Sequence, residues 1–142
     1  MKQQKNGEKV NLYQSLVIES DKQVVDLLAD VLADVNVGVT SACNGSIADR
    51  ILPRNCFDVI FMEPSLTVSG DINYFEYFCH RYPHLVDRTV LVTGDWRNRE
   101  TMRRLVDRGL SVIQKPFNIQ RIRELATAIL EQEFAGRTLP AA

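Results

Sequence analysis

The segment F-D-V-I-F-M-E, residues 57–63, decides the fold. Its centre, V-I-F-M, is the longest unbroken apolar run in the chain, and an acid, Glu63, follows it directly. A strand that does not alternate apolar and polar residues is typical of a parallel sheet covered by helices on both faces. The segment therefore predicts a central parallel strand whose carboxyl end carries a carboxylate.

Similar short apolar segments recur on both sides of this strand, separated by longer stretches with helical spacing. The predicted strands are residues 15–19, 35–41, 57–62, 88–93 and 110–114. The predicted helices are residues 21–34, 46–52, 71–82 and 98–108, with a last helix after Asn118. Five strands alternating with five helices predict a doubly wound α/β domain with a parallel sheet. We expect this domain to span residues 15–131, with a flexible lead-in at residues 1–14 and a tail at residues 132–142 that frays from Ala135.

The composition is that of one globular domain: 142 residues, 45% hydrophobic and 25% charged. Lys and Arg number 17 against 18 Asp and Glu, and the net charge of −1 favours neither nucleic acid nor an anionic membrane. No apolar run approaches the ~20 residues that cross a bilayer, and the Lys- and Gln-rich start does not resemble a secretory signal. We expect a cytoplasmic protein without membrane or nucleic-acid partners. Its three cysteines, an odd number without a C-x-x-C motif, are expected to be free thiols.

Polar residues stand where four of the predicted strands end. Glu19 ends the first strand, Glu63 follows the third, Thr93 ends the fourth and Lys115 follows the fifth. In open α/β sheets the functional crevice lies at the carboxyl ends of the strands. Asp21 also lies close to the end of the first strand. We therefore expect two or three carboxylates, a hydroxyl and an ammonium to converge at one edge of the sheet.

Together with their spacing, three motifs carry a family resemblance: F-D-V-I-F-M-E, V-L-V-T-G-D (residues 90–95) and Q-K-P-F (residues 114–117). With the acidic end of the first strand, they resemble the receiver domain of response regulators in bacterial two-component signalling. T-G-D and K-P-F-N are especially similar to receivers of hybrid histidine kinases. The resemblance implies a flavodoxin-like receiver fold with strand order 2-1-3-4-5.

The resemblance also implies roles for the residues at the strand ends. Receivers accept a phosphoryl group from a kinase histidine on an Asp after the third strand, beside a cation held by acids and near a Thr or Ser and a Lys. Here Glu63 takes the acceptor position, with Thr93 and Lys115 as its partners. Glu19, Asp21 and Glu63 are the corresponding metal ligands, for a magnesium site that is weak or absent. Receivers usually hold the Lys-Pro bond cis, and we expect this for Lys115-Pro116.

Four departures from the family pattern point to a degenerate pocket. The Glu63 carboxylate is one methylene longer than that of Asp, and a misplacement of ~1 Å can cost ~100-fold in rate. Ser20 replaces the second acid of the first strand, which removes a charge from the cation site. Asp21 is either a substitute ligand or a helix cap. The loop at residues 64–70 lacks the usual turn, and Val112 replaces an aromatic residue that moves on activation in many relatives.

These departures favour a receiver-like signalling module that acts through protein contact and is not an enzyme. Lys115 is expected to neutralise Glu63, which either imitates a phosphorylated acceptor or leaves the domain inert. The alternative is a working phosphoryl-accepting receiver of a hybrid histidine kinase. A flavin-binding domain is disfavoured because no phosphate loop follows the first strand. The implied cofactor is none, or weakly bound Mg²⁺.

Surface features suggest how partners bind. Arginines concentrate on the fourth and fifth helices, but interleaved acids favour a protein-binding face over a nucleic-acid site. Receivers commonly dimerise or dock through the face of the fourth helix, fifth strand and fifth helix, so we expect a histidine kinase, an output domain or a second copy there. Trp96 is either a partner anchor or half-buried. Metal binding by Cys79, His80 and His84 is disfavoured because Pro83 separates the histidines.

Overall fold

The computed structural model describes residues 11–68, 72–94 and 99–138. Within these ranges the chain forms five strands, β1 to β5, five α-helices, α1 to α5, and two short 3-10 helices at Leu52–Arg54 and Pro83–Arg88. The strands are Tyr13–Ile18 (β1), Val37–Ala42 (β2), Val59–Met62 (β3), Thr89–Thr93 (β4) and Ser111–Gln114 (β5). The α-helices are Lys22–Ala33 (α1), Gly45–Ile51 (α2), Tyr74–Arg81 (α3), Arg99–Asp107 (α4) and Ile119–Thr138 (α5).

The five strands form one parallel sheet in the order β2-β1-β3-β4-β5. This is the doubly wound, flavodoxin-like order 2-1-3-4-5 that the sequence predicts. The central strand β3 is completely buried, as its unbroken apolar run requires. Its register places Met62 beside Ile18 of β1, so these two strands end level with each other.

Two apolar layers enclose the sheet, because alternate residues of each strand point to opposite faces. One layer packs α2, α3 and α4 against residues such as Leu16, Ile60 and Leu91. The other packs α1 and α5 against Val17, Phe61 and Val92. The helices therefore cover both faces, and the carboxyl edge of the sheet is left for polar groups.

Most predicted element boundaries lie within three residues of those in the structure. The second strand begins at Val37 instead of residue 35, because Asn36 turns the chain with a positive φ of 65°. The third helix begins at Tyr74, and Asn73 is its N-cap. The last helix continues to Thr138, beyond residue 131 where the domain was expected to end. Residues 1–10 and 139–142, the outer parts of the expected lead-in and tail, lie outside the described residues.

The expected free thiols are confirmed, since Cys43, Cys56 and Cys79 form no disulfide. Among the described helices, none combines the length and the apolar character that a bilayer crossing needs.

A polar network ties α2 to α3 inside the first apolar layer. Asp49 accepts hydrogen bonds from the hydroxyl groups of Tyr74 at 2.9 Å and Tyr82 at 3.0 Å. Burial, together with the bond to Asp49, raises the pKa of Tyr82 to about 12 and raises that of Tyr74 further. Both phenols thus stay protonated as donors at neutral pH. Because Tyr74 is completely buried as well as hydrogen-bonded, its ring is fixed against the start of α2.

Gly45→Ala tests this packing, because a methyl group at Gly45 would collide with the ring of Tyr74. We expect the free energy of unfolding, measured by urea denaturation, to fall by ~1–3 kcal/mol, the usual cost of overpacking. The control is Ser46→Ala at the exposed neighbouring position, which should change it by less than ~0.5 kcal/mol. Equal values for the two variants would contradict the close approach of α2 to Tyr74.

Candidate functional site

The strand ends bring the predicted site residues to one edge of the sheet. Glu19 and Glu63 directly follow β1 and β3, and both remain in the sheet ladder: Glu19 N donates to Ala42 O and Glu63 N to Ile18 O, each at 3.0 Å. The backbone N of Lys115 donates to the carbonyl of Thr93 at 2.9 Å. Backbone pairing of neighbouring parallel strands therefore fixes where these side chains start.

The ammonium of Lys115 binds both carboxylates. Its Nζ lies 2.9 Å from Oε1 of Glu19 and 3.2 Å from Oε1 of Glu63. Glu19 is only 5% exposed and Glu63 is 8% exposed, whereas the side chain of Lys115 is 24% exposed. The expected pairing of Lys115 with Glu63 is confirmed, and the structure adds Glu19 as a second partner of the same ammonium.

The remaining oxygen of each carboxylate is bound by the backbone. Oε2 of Glu19 accepts from the N–H of Asp21 at 3.1 Å, and Oε2 of Glu63 accepts from the N–H of Ser65 at 3.0 Å. Each acid thus accepts a hydrogen bond from the backbone of the residue two positions later in the chain, and its other oxygen binds Lys115. All four carboxylate oxygens accept a hydrogen bond, which is how buried acids offset the cost of desolvation.

The pKa of Lys115 reflects two opposing effects. Burial alone would lower it, because a charged ammonium loses hydration, but the hydrogen bonds and charges of Glu19 and Glu63 together outweigh burial. The net result is a pKa above the ordinary lysine value. Lys115 is therefore a permanent cation at neutral pH and a stable partner for both acids.

Thr93 and the Lys115-Pro116 bond complete the edge. Thr93 ends β4 with its side chain 98% buried and its carbonyl bound to Lys115 N. The Lys115-Pro116 peptide is cis, as expected from the resemblance. Glu19, Glu63, Thr93 and Lys115 therefore meet at one edge of the sheet, as the sequence predicts.

Asp21 serves as a helix cap. Its Oδ1 accepts from the N–H of Gln23 at 2.9 Å, its backbone has the extended conformation of an N-cap, and the residue is exposed. This geometry matches the capping interpretation of Asp21. Ser20, which stands where receivers have a second acid, is exposed.

The side chains at this edge do not fit a divalent cation. Magnesium needs several oxygens in a regular octahedral shell, with carboxylates among them. Here Oε1 of each glutamate is bound to the ammonium of Lys115 and Oε2 to a backbone N–H, so a divalent cation would have to compete with Lys115 for both acids. In the described part of the chain, no three His, Cys, Asp or Glu side chains gather as metal ligands, and this includes the region of Cys79, His80 and His84.

The loop after Glu63 is organised by Asn73, which the sequence analysis missed. Its Nδ2 donates to the carbonyl of Pro64 at 2.7 Å, and its Oδ1 accepts from the N–H of Glu76 at 3.0 Å as the N-cap of α3. Thr67 forms an antiparallel bridge with Asn73. The signal was present in the sequence, since Asn directly before an apolar-periodic segment is a helix-start signature. Residues 69–71 of the altered loop are outside the described ranges.

Two other sequence expectations concern neighbouring positions. Val112, on β5, is half-buried and packs against the layer formed with α2, α3 and α4. Trp96 falls within residues 95–98, beyond what the structure describes, and its anchor role stays a prediction.

Solved structures with a similar fold include receiver domains. Over 89% of this chain, NtrX from Brucella abortus matches with a TM-score of 0.72 and 22% identity. A response regulator receiver domain from Clostridium thermocellum matches 87% of the chain, with a TM-score of 0.71 and 17% identity. The signal receiver domain of an HD domain-containing protein from Pseudomonas fluorescens Pf-5 matches 94% of the chain, with a TM-score of 0.72 and 15% identity. The chain spans 98% of each of these two receiver structures but only 29% of NtrX. No protein-family profile and no curated protein matches. The chain therefore has the receiver fold.

Lys115→Met tests the ion cluster, because it leaves two buried carboxylates without a cation. Removing one partner of a buried pair costs ~3–5 kcal/mol, so urea denaturation at neutral pH should give an unfolding free energy ~3 kcal/mol below wild type. The pKa of Lys115 is higher in the folded protein than in the unfolded chain. Wild type therefore keeps its full advantage in unfolding free energy at pH values below the lysine pKa of the unfolded chain, ~10.4. The advantage should shrink as the pH rises above that value and the folded Lys115 loses its proton.

Lys22→Met is the matched control, because Lys22 is 85% exposed and pairs only with Asp26 one helical turn away. Such surface pairs contribute little. We expect nearly wild-type stability with no added dependence on alkaline pH. A stability of Lys115→Met equal to that of Lys22→Met would contradict the buried cluster.

Lys115→Met also tests why this edge of the sheet does not fit magnesium. In Lys115→Met, Oε1 of Glu19 and Oε1 of Glu63 lose their ammonium and become available to a cation. Millimolar MgCl₂ should therefore raise the melting temperature of Lys115→Met more than that of wild type. Calorimetry with MgCl₂ and, as an ionic-strength control, NaCl measures this. An equal magnesium effect on both proteins would show that Lys115 does not exclude the cation.

Proposed function

We propose that this chain is a receiver-like signal-transduction module of a two-component phosphorelay, with a degenerate phosphoacceptor pocket, that acts through protein contact and not as an enzyme. The single observation that carries the proposal is the ammonium of Lys115 bound between Glu19 and Glu63, whose other oxygens are bound by the backbone. A phosphoryl acceptor needs an uncommitted oxygen and a cation beside it. In this arrangement both oxygens of Glu63 already accept hydrogen bonds, and the cation beside it is the ammonium of Lys115 instead of a divalent ion.

The geometry of Glu63 adds to this argument. Phosphoryl transfer depends on positioning and on compensation of charge, because the transferring group spreads its negative charge over several oxygens. The extra methylene of Glu63 moves its oxygens relative to those of an Asp and brings Oε1 to Lys115. Ser20 contributes no charge to hold a cation. Three features therefore disfavour in-line attack by Glu63: the shifted position of its oxygens, their existing hydrogen bonds, and the missing negative charge at Ser20.

The contact surface in this proposal is the face of α4, β5 and α5. Large apolar side chains are exposed on both helices, Val106 at 56% on α4 and Ile119 at 43% on α5. Exposed apolar groups among charged residues are a common mark of protein contact. We propose that a histidine kinase, an output domain or a second copy docks there, in the cytoplasm and in the context of a larger hybrid kinase.

The rival function is a working phosphoryl-accepting receiver, which the shared fold and the retained Thr93 and Lys115 favour. Acetyl phosphate with MgCl₂ separates the two functions, since transfer of its phosphoryl group to a carboxylate oxygen releases acetate and leaves an acyl phosphate on the protein. We expect intact-mass measurement to show no phosphoryl adduct on wild type, because the oxygens of Glu63 are committed. An adduct that Glu63→Gln abolishes would establish the rival function.

The control is the double substitution Ser20→Asp and Glu63→Asp, which restores a second acid and shortens the acceptor. It should acquire a phosphoryl adduct under the same conditions if the fold and the other pocket residues are intact. A conventional receiver domain treated in parallel verifies the phosphodonor.

A further inference from the structure

The outer edge of β2 is a surface that the proposed function does not use. β2 is the first strand of the sheet order, and in the described part of the chain it pairs with β1 alone. An edge strand presents a row of backbone N–H and C=O groups that another strand can pair with. The question is which groups face outward and whether the edge is protected.

The outward-facing residues follow from the bonds to β1. The carbonyls of Asn36 and Ala42 accept from Tyr13 N and Glu19 N. In a parallel ladder, alternate residues direct their backbone groups to the same neighbour, so the even-numbered residues of β2 face β1. The outward set is therefore Val37, Val39 and Ser41.

Within residues 35–48, the β2 edge carries none of the usual protection. Edge strands normally carry charges or prolines that prevent pairing with another chain. Residues 35–48 contain neither a charged residue nor a proline, and they form the longest uncharged stretch of a chain that is 25% charged. Within β2 itself, Val39 is half-buried, and Thr40 and Ser41 are exposed.

The helix beside this edge carries apolar residues on the same side. Asp34, at the end of α1, pairs with Arg123 of α5 at 2.7 Å, so that flank of α1 faces α5. Helical spacing puts Val25 and Ala29 on the opposite flank, toward the outer edge of β2, and both are half-buried. Lys22, at the start of α1, lies on this flank too and is paired with Asp26 at 3.1 Å, whereas Asp30 lies outside it.

We propose that the β2 edge binds a second copy of this chain by antiparallel strand pairing about a two-fold axis, which joins the two sheets into one of ten strands. In this register Val39 meets Val39 of the second copy at the axis, and Val37 pairs with Ser41 of the second copy. The three outward residues of each strand then exchange six backbone hydrogen bonds.

Charge favours a second copy over an unrelated strand as the occupant. A two-fold axis brings each residue close to its own counterpart, so any charge near the axis would face a like charge. The uncharged stretch removes that repulsion, and Val25, Ala29 and Val39 supply matching apolar surface from both copies. The net charge of −1 adds little repulsion between whole molecules.

Analytical ultracentrifugation of the full chain over a range of concentrations tests the association. We expect a monomer–dimer equilibrium that Val39→Lys weakens by about tenfold or more, because two ammonium groups would face each other at the axis. Ile72→Lys is the control: it places the same charge at an exposed apolar side chain just before α3, outside both β2 and the α4–β5–α5 face, and it should leave the equilibrium unchanged. Thermal melts verify that both variants are folded.

Disulfide trapping tests the register without a loss of stability. In a background with Cys43, Cys56 and Cys79 replaced by Ser, Val39→Cys places two thiols at the axis. Hydrogen-bonded antiparallel pairs have Cα atoms ~5.5 Å apart, within the range a disulfide spans. Diamide should therefore cross-link Val39→Cys at least about tenfold faster than Thr40→Cys, whose side chain points to the other face of the sheet.

Three results would overturn the proposal. The first is a chain that stays monomeric at every concentration, as it would if the edge were covered by the chain itself or reserved for another protein. The second is a dimer that Val106→Lys weakens and Val39→Lys does not, which would assign association to the α4–β5–α5 face. The third is equal cross-linking of Val39→Cys and Thr40→Cys.

Discussion

One ammonium bound between two buried acids determines what the carboxyl edge of this sheet can do. Burying Glu19 and Glu63 side by side would be unfavourable without a cation, because like charges repel strongly where water is excluded. Lys115, which directly follows β5, supplies that cation. The cluster is satisfied within the chain, and no external ion is needed to stabilise it.

Parallel pairing and side-chain length together produce this arrangement. The register of β1 with β3 ends both strands level, so the two acids start as neighbours. Each glutamate is long enough to accept an N–H two residues ahead with one oxygen and to reach Lys115 with the other. A shorter acid at position 63 would have its oxygens one methylene nearer the backbone. The extra methylene of Glu63 is thus part of what lets both of its oxygens accept hydrogen bonds within the chain.

The sequence predicts the fold well because its signals are local and repeated. The apolar run of residues 59–62 identifies the central strand, and the helical spacing of residues 21–34 identifies α1. The pairing of Lys115 with Glu63 also follows, since strand ends converge and opposite charges attract. The second bond of Lys115, to Glu19, and the return bonds from Asp21 and Ser65 depend on loop geometry. That geometry is set by contacts distant in sequence, such as Asn73 with Pro64, which periodicity does not encode.

The energetics of the cluster also bear on how such a domain can signal. An incoming phosphoryl group carries negative charge into a site where two carboxylates and one ammonium leave a net charge of −1. Lys115 is already bound to both acids, and any movement toward the phosphoryl oxygens would weaken these bonds and leave the two carboxylate charges less compensated. Lys115 thus holds the edge in one arrangement. In the proposed function the pocket does not change charge, so the domain would present a constant surface and act through the partner that this surface binds.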